Sequence, residues 1–459
     1  MLEETAKTGW GALLRPAWLP AVAVLVGGVL LHSMNVLMLA TVLPSVVEEV
    51  GGATLMSWTS SAFLASSIVA ATCTGYLTAI VGARIFGAGA LACALAPSMG
   101  QIVAGRFVQG FGGGLLTAMA YVLVRNTFPD RLWARAVALL AGAWSLSILV
   151  GPLTGGVFAR YGNWRGAFFS VAGLACILAM VAFRALPRTL SSGARPRVPG
   201  LRVALICGAI AAMSLTAVAS HPVAKVGLFA GAIASLVLAL MADRRAATPL
   251  LPSDAFSLQS ATGIGLWLAL LVSIAYSPLQ IFVPIFLQVL HGLDPLGAGY
   301  MVAGASFGWT GVSILVAGAS PQRTDRLLIA GPVAMAAGLL GVALLMPLEP
   351  ALLVFPAIAL TGAGIGACWS FIAQRVMTGA RKGEEDRAAS SVATVQYTGF
   401  ALGAALAGLV ANVAGLSAGL NPADIAAAAF WVPTSFVVAA LAATIMGSRL
   451  ARRWPAVRD

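Results

Sequence analysis

Four polar side chains stand inside otherwise apolar stretches of this sequence: His32, Asn35, Arg106 and Gln109. Histidine is the side chain that ordinarily changes charge near neutral pH, so it can carry a proton. A guanidinium stays charged, offers donors in a planar fork and attracts anions. His32 and Asn35 are three residues apart, so on a helix they share a face. A lone histidine on an apolar helix can equally be a hydrogen-bonded packing residue, and an asparagine can simply hold two helices together. Arg106 is the one basic residue away from the end of its stretch. Left unpaired in hydrocarbon it is costly, so it should face protein or a wet cavity. There it either serves gating and coupling or is satisfied structurally by backbone carbonyls.

The elements that position these groups are apolar stretches of membrane-crossing length. A helix needs about 20 such residues to span the hydrocarbon. Fourteen stretches recur between residues 21 and 447, the first at 21–46, the seventh and eighth at 203–219 and 225–241, the ninth at 259–290. With 60% hydrophobic and 9% charged residues, the composition excludes a soluble globular domain. The expected class is an all-α integral membrane protein.

Basic residues set the orientation. With the first residues cytoplasmic, 23 of the 27 Lys and Arg fall inside, three (Arg160, Arg165, Lys225) fall outside, and Arg106 lies within a span. Inverting the topology or dropping a span destroys the asymmetry, so the positive-inside rule favours fourteen spans with both ends of the chain cytoplasmic. The net charge of +12 is spread over separate loops, which argues against a nucleic-acid face. Residues 1–20 begin acidic and lack a small-residue cleavage site, so the first stretch is read as retained. The five cysteines are scattered singly, with no disulfide or metal spacing. No GxxxxGK[ST] phosphate loop occurs. Neither an enzyme, a metal site nor a cofactor is expected.

Residues 187–201, rich in Pro, Ser, Gly and Arg, make the most linker-like stretch, and 243–257 forms a second break. The expected organisation is a six-helix bundle over 1–188, a two-helix insertion with its linkers over 189–256, and a second six-helix bundle over 257–459. Two six-helix halves around a midplane cavity suit a carrier that alternates access between the two sides. Internal sequence similarity between the halves is weak.

GPLTGG at 151–156 matches the GPxxGG signature of antiporters in the major facilitator superfamily. RFVQGFGGG at 106–114 matches that superfamily's span-four motif, with Arg106, Gln109 and Gly110 in place. TVLP at 41–44, Trp58 and NWRGAFF at 163–169 resemble the same group, as does FVPIFLQVLHG at 282–292. With its insertion, the whole chain resembles the fourteen-helix drug:proton antiporters. That resemblance implies the major facilitator fold, export and proton antiport; the expected location is the inner (cytoplasmic) membrane and the expected state a monomer.

Two departures from the family pattern bear on function. The loop usually reading GxLaDrxGrr here reads GYLTAIVGAR, keeping Gly75, Leu77, Gly82 and Arg84 but placing Ala79 and Ile80 where the Asp and its basic neighbour belong. The cytoplasmic charge lock is therefore weakened or made elsewhere. Many relatives also carry an Asp nine residues before the proline that ends span one; here that position is Asn35. All fifteen acidic residues lie in loops, tails or span ends. A proton carrier ordinarily uses a buried carboxylate. Either His32 substitutes, or Glu48 or Glu49 couples at the outer mouth, or protons do not drive transport.

Gly151, Pro152, Gly155 and Gly156 are read as conformational machinery, because Pro permits a bend and Gly a close helix approach. Tyr121, Trp144, Tyr276, Gln280, Trp309, Trp369 and Gln396 are candidates to line a pocket for an amphipathic small molecule. Arg106, with no midplane acid opposing it, favours an anionic group on that molecule. A carrier dedicated to an anionic metabolite, siderophore-like acid or lipid is the rival within transport. A receptor or regulator built on a carrier scaffold is the rival outside it, and the absence of any signalling domain counts against it.

Overall fold

The structure is a computed structural model and describes residues 10–13, 15–52, 55–72, 79–185, 200–219, 221–246, 249–293, 295–348, 350–415 and 422–454. Among the described residues there is no strand. The helices are α1 (Leu19–Val50), α2 (Met56–Thr72), α3 (Ala79–Ala94), α4 (Met99–Thr127), α5 (Asp130–Arg160), α6 (Trp164–Ala185), α7 (Gly200–Val218) and α8 (Pro222–Arg244). They continue as α9 (Ala261–Ile281), α10 (Val283–His291), α11 (Pro295–Val316), α12 (Pro321–Leu345), α13 (Phe355–Thr378), α14 (Glu385–Val413) and α15 (Pro422–Arg453). In hydrocarbon a chain must satisfy its backbone internally, and the helix does so within one segment. Hydroxyls on these helices can be satisfied in the same way: Ser33 donates to the Val29 carbonyl, and Ser273 to that of Ala269.

Eleven segments among the described residues are long and apolar enough to cross a membrane, and two shorter apolar helices lie at Trp58–Ala71 and Ile80–Ala94. The protein is a multi-pass membrane protein. The fourteen stretches read from sequence exceed this count. The ninth stretch is one of the eleven, Ala261–His291, and within it α9 gives way to α10 at Phe282. Proline explains the interruption. Pro278 inside α9 cannot donate to the Ile274 carbonyl, which takes the Ser277 hydroxyl at 2.8 Å instead, and Pro284 opens α10.

Two compact units divide the chain. One comprises 1–207, 242–251 and 386–394; the other comprises 208–241, 252–385 and 395–459. In the first unit α4 is the hub and packs on α1, α2 and α3, while α1 also packs on α5 and α6, and α3 on α6. Its glycines make this approach possible. A Cβ at Gly112 would lie 2.6 Å from Phe86 Cα on α3, one at Gly114 2.7 Å from Ser67 Cα on α2, and one at Gly113 would strike the His32 ring on α1.

The second unit repeats the arrangement around α13, which packs on α9, α11 and α12, with α15 against α9 and α12. The glycine spacing 110-112-114 of α4 recurs as 362-364-366 in α13. A Cβ at Gly362 would lie 2.7 Å from Ala305 Cα on α11, and one at Gly364 2.6 Å from the Met335 side chain on α12. Similarity between the halves, weak in sequence, is plain in helix packing. The α7–α8 pair attaches to this unit through Ala209 and Ala232, which cluster with Leu402 of α14 and with Leu270 and Ile274 of α9.

Candidate functional site

In the first unit, α1 and α4 bring the intramembrane polar residues together. His32, Asn35, Arg106 and Gln109 are all buried, with Arg106 only 1% exposed. Arg106 donates through Nη1 to Asn35 Oδ1 and to Gln109 Oε1, the latter at 2.8 Å, and through Nε to the Thr59 carbonyl at 3.3 Å. Its guanidinium carbon also lies 4.1 Å from the centre of the Phe63 ring. His32 packs on the same ring at 5.0 Å and on Trp144 at 6.1 Å. Next to it Ser33 and Ser147 meet at 2.5 Å, tying α1 to α5.

Every hydrogen-bond partner of Arg106 is neutral, and no carboxylate pairs with it among the described residues. Both carboxamides turn their oxygens to the guanidinium. Their nitrogens, Asn35 Nδ2 and Gln109 Nε2, are buried without a hydrogen-bond partner. A buried donor left without an acceptor costs on the order of 1–3 kcal/mol. The cluster is a cation with two idle amide donors, chemically a receptor for an acceptor group.

A second cluster lies in the other unit, on α9, α11, α13 and α14. Tyr276 stacks against Trp309 at 5.3 Å and Phe400 at 6.2 Å, and Trp309 against Trp369 at 6.0 Å. The Tyr276 hydroxyl bonds to the side chains of Ser306 and Gln280. Gln280 itself is largely exposed. Trp309 Nε1 and Ser370 Oγ are buried without a hydrogen-bond partner. Tyr121 and Gln396 are buried on α4 and α14.

GPLTGG lies within α5, with Pro152 inside the helix. A Cβ at Gly151 would lie 2.8 Å from the Met34 carbonyl oxygen, and one at Gly155 2.7 Å from that of Met38, both on α1. Gly156 faces open space. In the second unit the same spacing occurs as Gly399 and Gly403 of α14, where an added Cβ would lie 2.9 Å from the Leu270 carbonyl oxygen and 2.8 Å from that of Ile274 on α9. Sequence reading missed this second pair, although its Gly-x3-Gly spacing was a usable signal. It also missed Phe63 and Phe400, which carry no mark distinguishing them from other span aromatics.

Gly75 lies outside the described residues. Gly82 sits inside α3, where an added Cβ would come 3.1 Å from Leu115 Cβ of α4, and Arg84 is exposed. The helix ends carry ion pairs of their own: Arg125 with Asp386 at 3.0 Å, Arg375 with Asp325 at 2.5 Å, and Arg202 with Asp243. At the end of α1, Glu49 accepts from Arg165 and, at 2.6 Å, from the Trp164 indole. These bonds, the one from Arg165 foremost, hold the Glu49 carboxyl below its usual range.

The sequence model of the Major Facilitator Superfamily matches residues 25–408, and the chain belongs to that family. It is a membrane transporter and not an enzyme. A protein of Mycobacterium tuberculosis described as a "probable multidrug-efflux transporter" is 32% identical over 439 residues, covering 90% of this chain and 92% of its own. The multidrug efflux pump SdrM of Staphylococcus aureus is 22% identical over 283 residues, covering 58% and 62%. Among solved structures, a human organic anion transporter superposes with a TM-score of 0.70 at 15% identity over 94% of this chain and 99% of that one. A proton:xylose symporter superposes at 0.63 and 14% identity over 92% and 94%, and both likenesses concern the fold alone.

Proposed function

We propose that the protein exports amphipathic, drug-like compounds across the cytoplasmic membrane by alternating access. In this reading it has fourteen spans, six and six with the 203–241 pair between them, and both termini in the cytoplasm. The charge asymmetry of the loops and the multidrug-efflux relatives support it. The observation that carries it is the aromatic cluster of Tyr276, Trp309, Trp369 and Phe400, which pairs apolar ring faces with buried donors that lack partners, Trp309 Nε1 and Ser370 Oγ. Such a surface accepts ligands of varied shape and orients any that brings an acceptor.

The test is Trp309→Ala in proteoliposomes loaded with an amphipathic dye. Losing one ring contact and one hydrogen bond amounts to about 2 kcal/mol, or roughly thirtyfold in half-saturating concentration. An unchanged concentration dependence removes this cluster from the substrate path.

A second reading, a carrier for compounds bearing an anionic group, is favoured by the neutral surroundings of Arg106. Matched substrates carrying a carboxylate or its amide distinguish the two.

Proton antiport is the coupling this reading adopts, with His32 as the exchanging group. Glu49 is a poor alternative, because the bonds from Arg165 and Trp164 lower its pKa and so disfavour its taking up a proton. His32→Ala is expected to lower pH-gradient-driven flux at least tenfold while changing equilibrium substrate binding less than threefold, since the ring touches Phe63 and Trp144 rather than open cavity. Equal flux from wild type and variant, both indifferent to the gradient, rules out proton antiport through this residue.

A further inference from the structure

A cavity of about 400 Å³ opens at the end of α11 and the start of α12, and none of the residues lining it belongs to either cluster. Its walls combine two chemistries. Leu315, Val316 and Leu327 supply apolar surface, and Arg323 and Arg326 supply charge; no acidic residue lines it. Both arginines are exposed and neither has an ion pair among the described residues. Asp325 lies between them in sequence and is bonded to Arg375 at 2.5 Å. Leu315 is 83% exposed, so its apolar side chain is open to a ligand at the cavity mouth. The four residues 317–320 join two helices that are each long and apolar enough to cross a membrane, which puts the cavity at the membrane boundary.

We propose that this cavity binds the headgroup of an anionic phospholipid. A phosphodiester accepts charge-assisted bonds from both guanidinium forks. The acyl chain of the same molecule covers Leu315, Val316 and Leu327, which a free phosphate leaves bare. The mixed lining therefore selects a lipid over a soluble anion, in keeping with basic pockets between membrane helices that hold acidic headgroups. The proposal does not depend on what the protein transports.

Native mass spectrometry of the purified full-length protein tests it, with dioleoyl phosphatidylglycerol, dioleoyl phosphatidylcholine and glycerol 3-phosphate as probes. Each basic residue near an anionic headgroup contributes about fivefold in affinity, so the double variant Arg323→Gln/Arg326→Gln should bind phosphatidylglycerol roughly 25-fold more weakly. Arg323→Lys/Arg326→Lys should keep most of the binding, and Leu315→Glu should weaken phosphatidylglycerol while leaving phosphatidylcholine unchanged. The exposed pair Arg452 and Arg453 serves as control, and its change to Gln should alter affinity less than twofold. Equal losses in the control would reduce the effect to general attraction between basic residues and anionic lipid and overturn the site. Equal binding of phosphatidylcholine, or saturation by glycerol 3-phosphate at the same concentration as the lipid, would overturn it as well.

Discussion

Asn35→Asp is expected to make transport respond to a pH gradient at least ten times more strongly than in the wild type, and to weaken binding of a carboxylate-bearing substrate about a hundredfold. The exchange keeps the side chain's shape and changes its charge by one unit. Asn35 Oδ1 already accepts from Arg106 Nη1, so the new carboxylate replaces a cation–amide contact by a buried ion pair. That supplies a proton-accepting oxygen at the position where many drug:proton antiporters carry one. It also cancels the charge available to an anionic substrate. The loss of a desolvated partner is worth about 3 kcal/mol, which gives the hundredfold. Proteoliposome uptake under gradients of both signs, with matched carboxylate and amide substrates, reads both effects. Unaltered carboxylate binding places Arg106 away from the substrate, and an unaltered gradient response removes position 35 from coupling. The fold should survive, with thermal unfolding within a few degrees of wild type, because the shape is conserved.

Gly151→Leu should abolish flux, by a hundredfold or more, while the protein still purifies as a monodisperse species. The added Cβ would sit 2.8 Å from the Met34 carbonyl and 2.9 Å from Leu37 Cβ, so α1 and α5 must separate. Overpacking of this kind costs about 1–3 kcal/mol, tolerable for folding. It is far more serious for two helices that must shift against each other during transport. Gly399→Leu is expected to act in the same way on α14 and α9, where the contact to the Leu270 carbonyl is 2.9 Å. Gly156→Ala should be neutral, since no atom lies within 4 Å of its added Cβ. Substrate counterflow in proteoliposomes reads all three. Normal counterflow in Gly151→Leu would sink the conformational role assigned to GPLTGG.

Legibility in the sequence followed the length scale of each signal. Apolar stretches near bilayer length are long and redundant, so helix after helix lies close to its expected place. The ninth span also lies where expected, but the change from α9 to α10 inside it at Phe282 was not legible, because hydropathy averages over a window and does not see two prolines six residues apart, Pro278 and Pro284. The polar residues His32, Asn35, Arg106 and Gln109 stood out because a polar group in hydrocarbon is rare and costly. Their common location was not legible. Asn35 and Arg106 are 71 residues apart, and only the packing of α1 on α4 brings them together.

By itself the sequence determined the class of protein, because bilayer thickness and backbone hydrogen bonding leave helices as the economical way for these stretches to cross. It determined as well that the membrane interior holds a guanidinium and an imidazole but no carboxylate, since composition along a span needs no coordinates. Tertiary structure alone decided that Arg106 is satisfied by two amides and a carbonyl, and that two amide donors are left over. It decided too that Gly151 and Gly155 meet α1 while Gly156 faces open space, and that Gly399 and Gly403 repeat the device against α9. The physical reason is the same throughout. A helix imposes its own local geometry, but which of its faces meets a neighbour depends on the shapes of residues far away in the chain, and those contacts extend only a few ångströms.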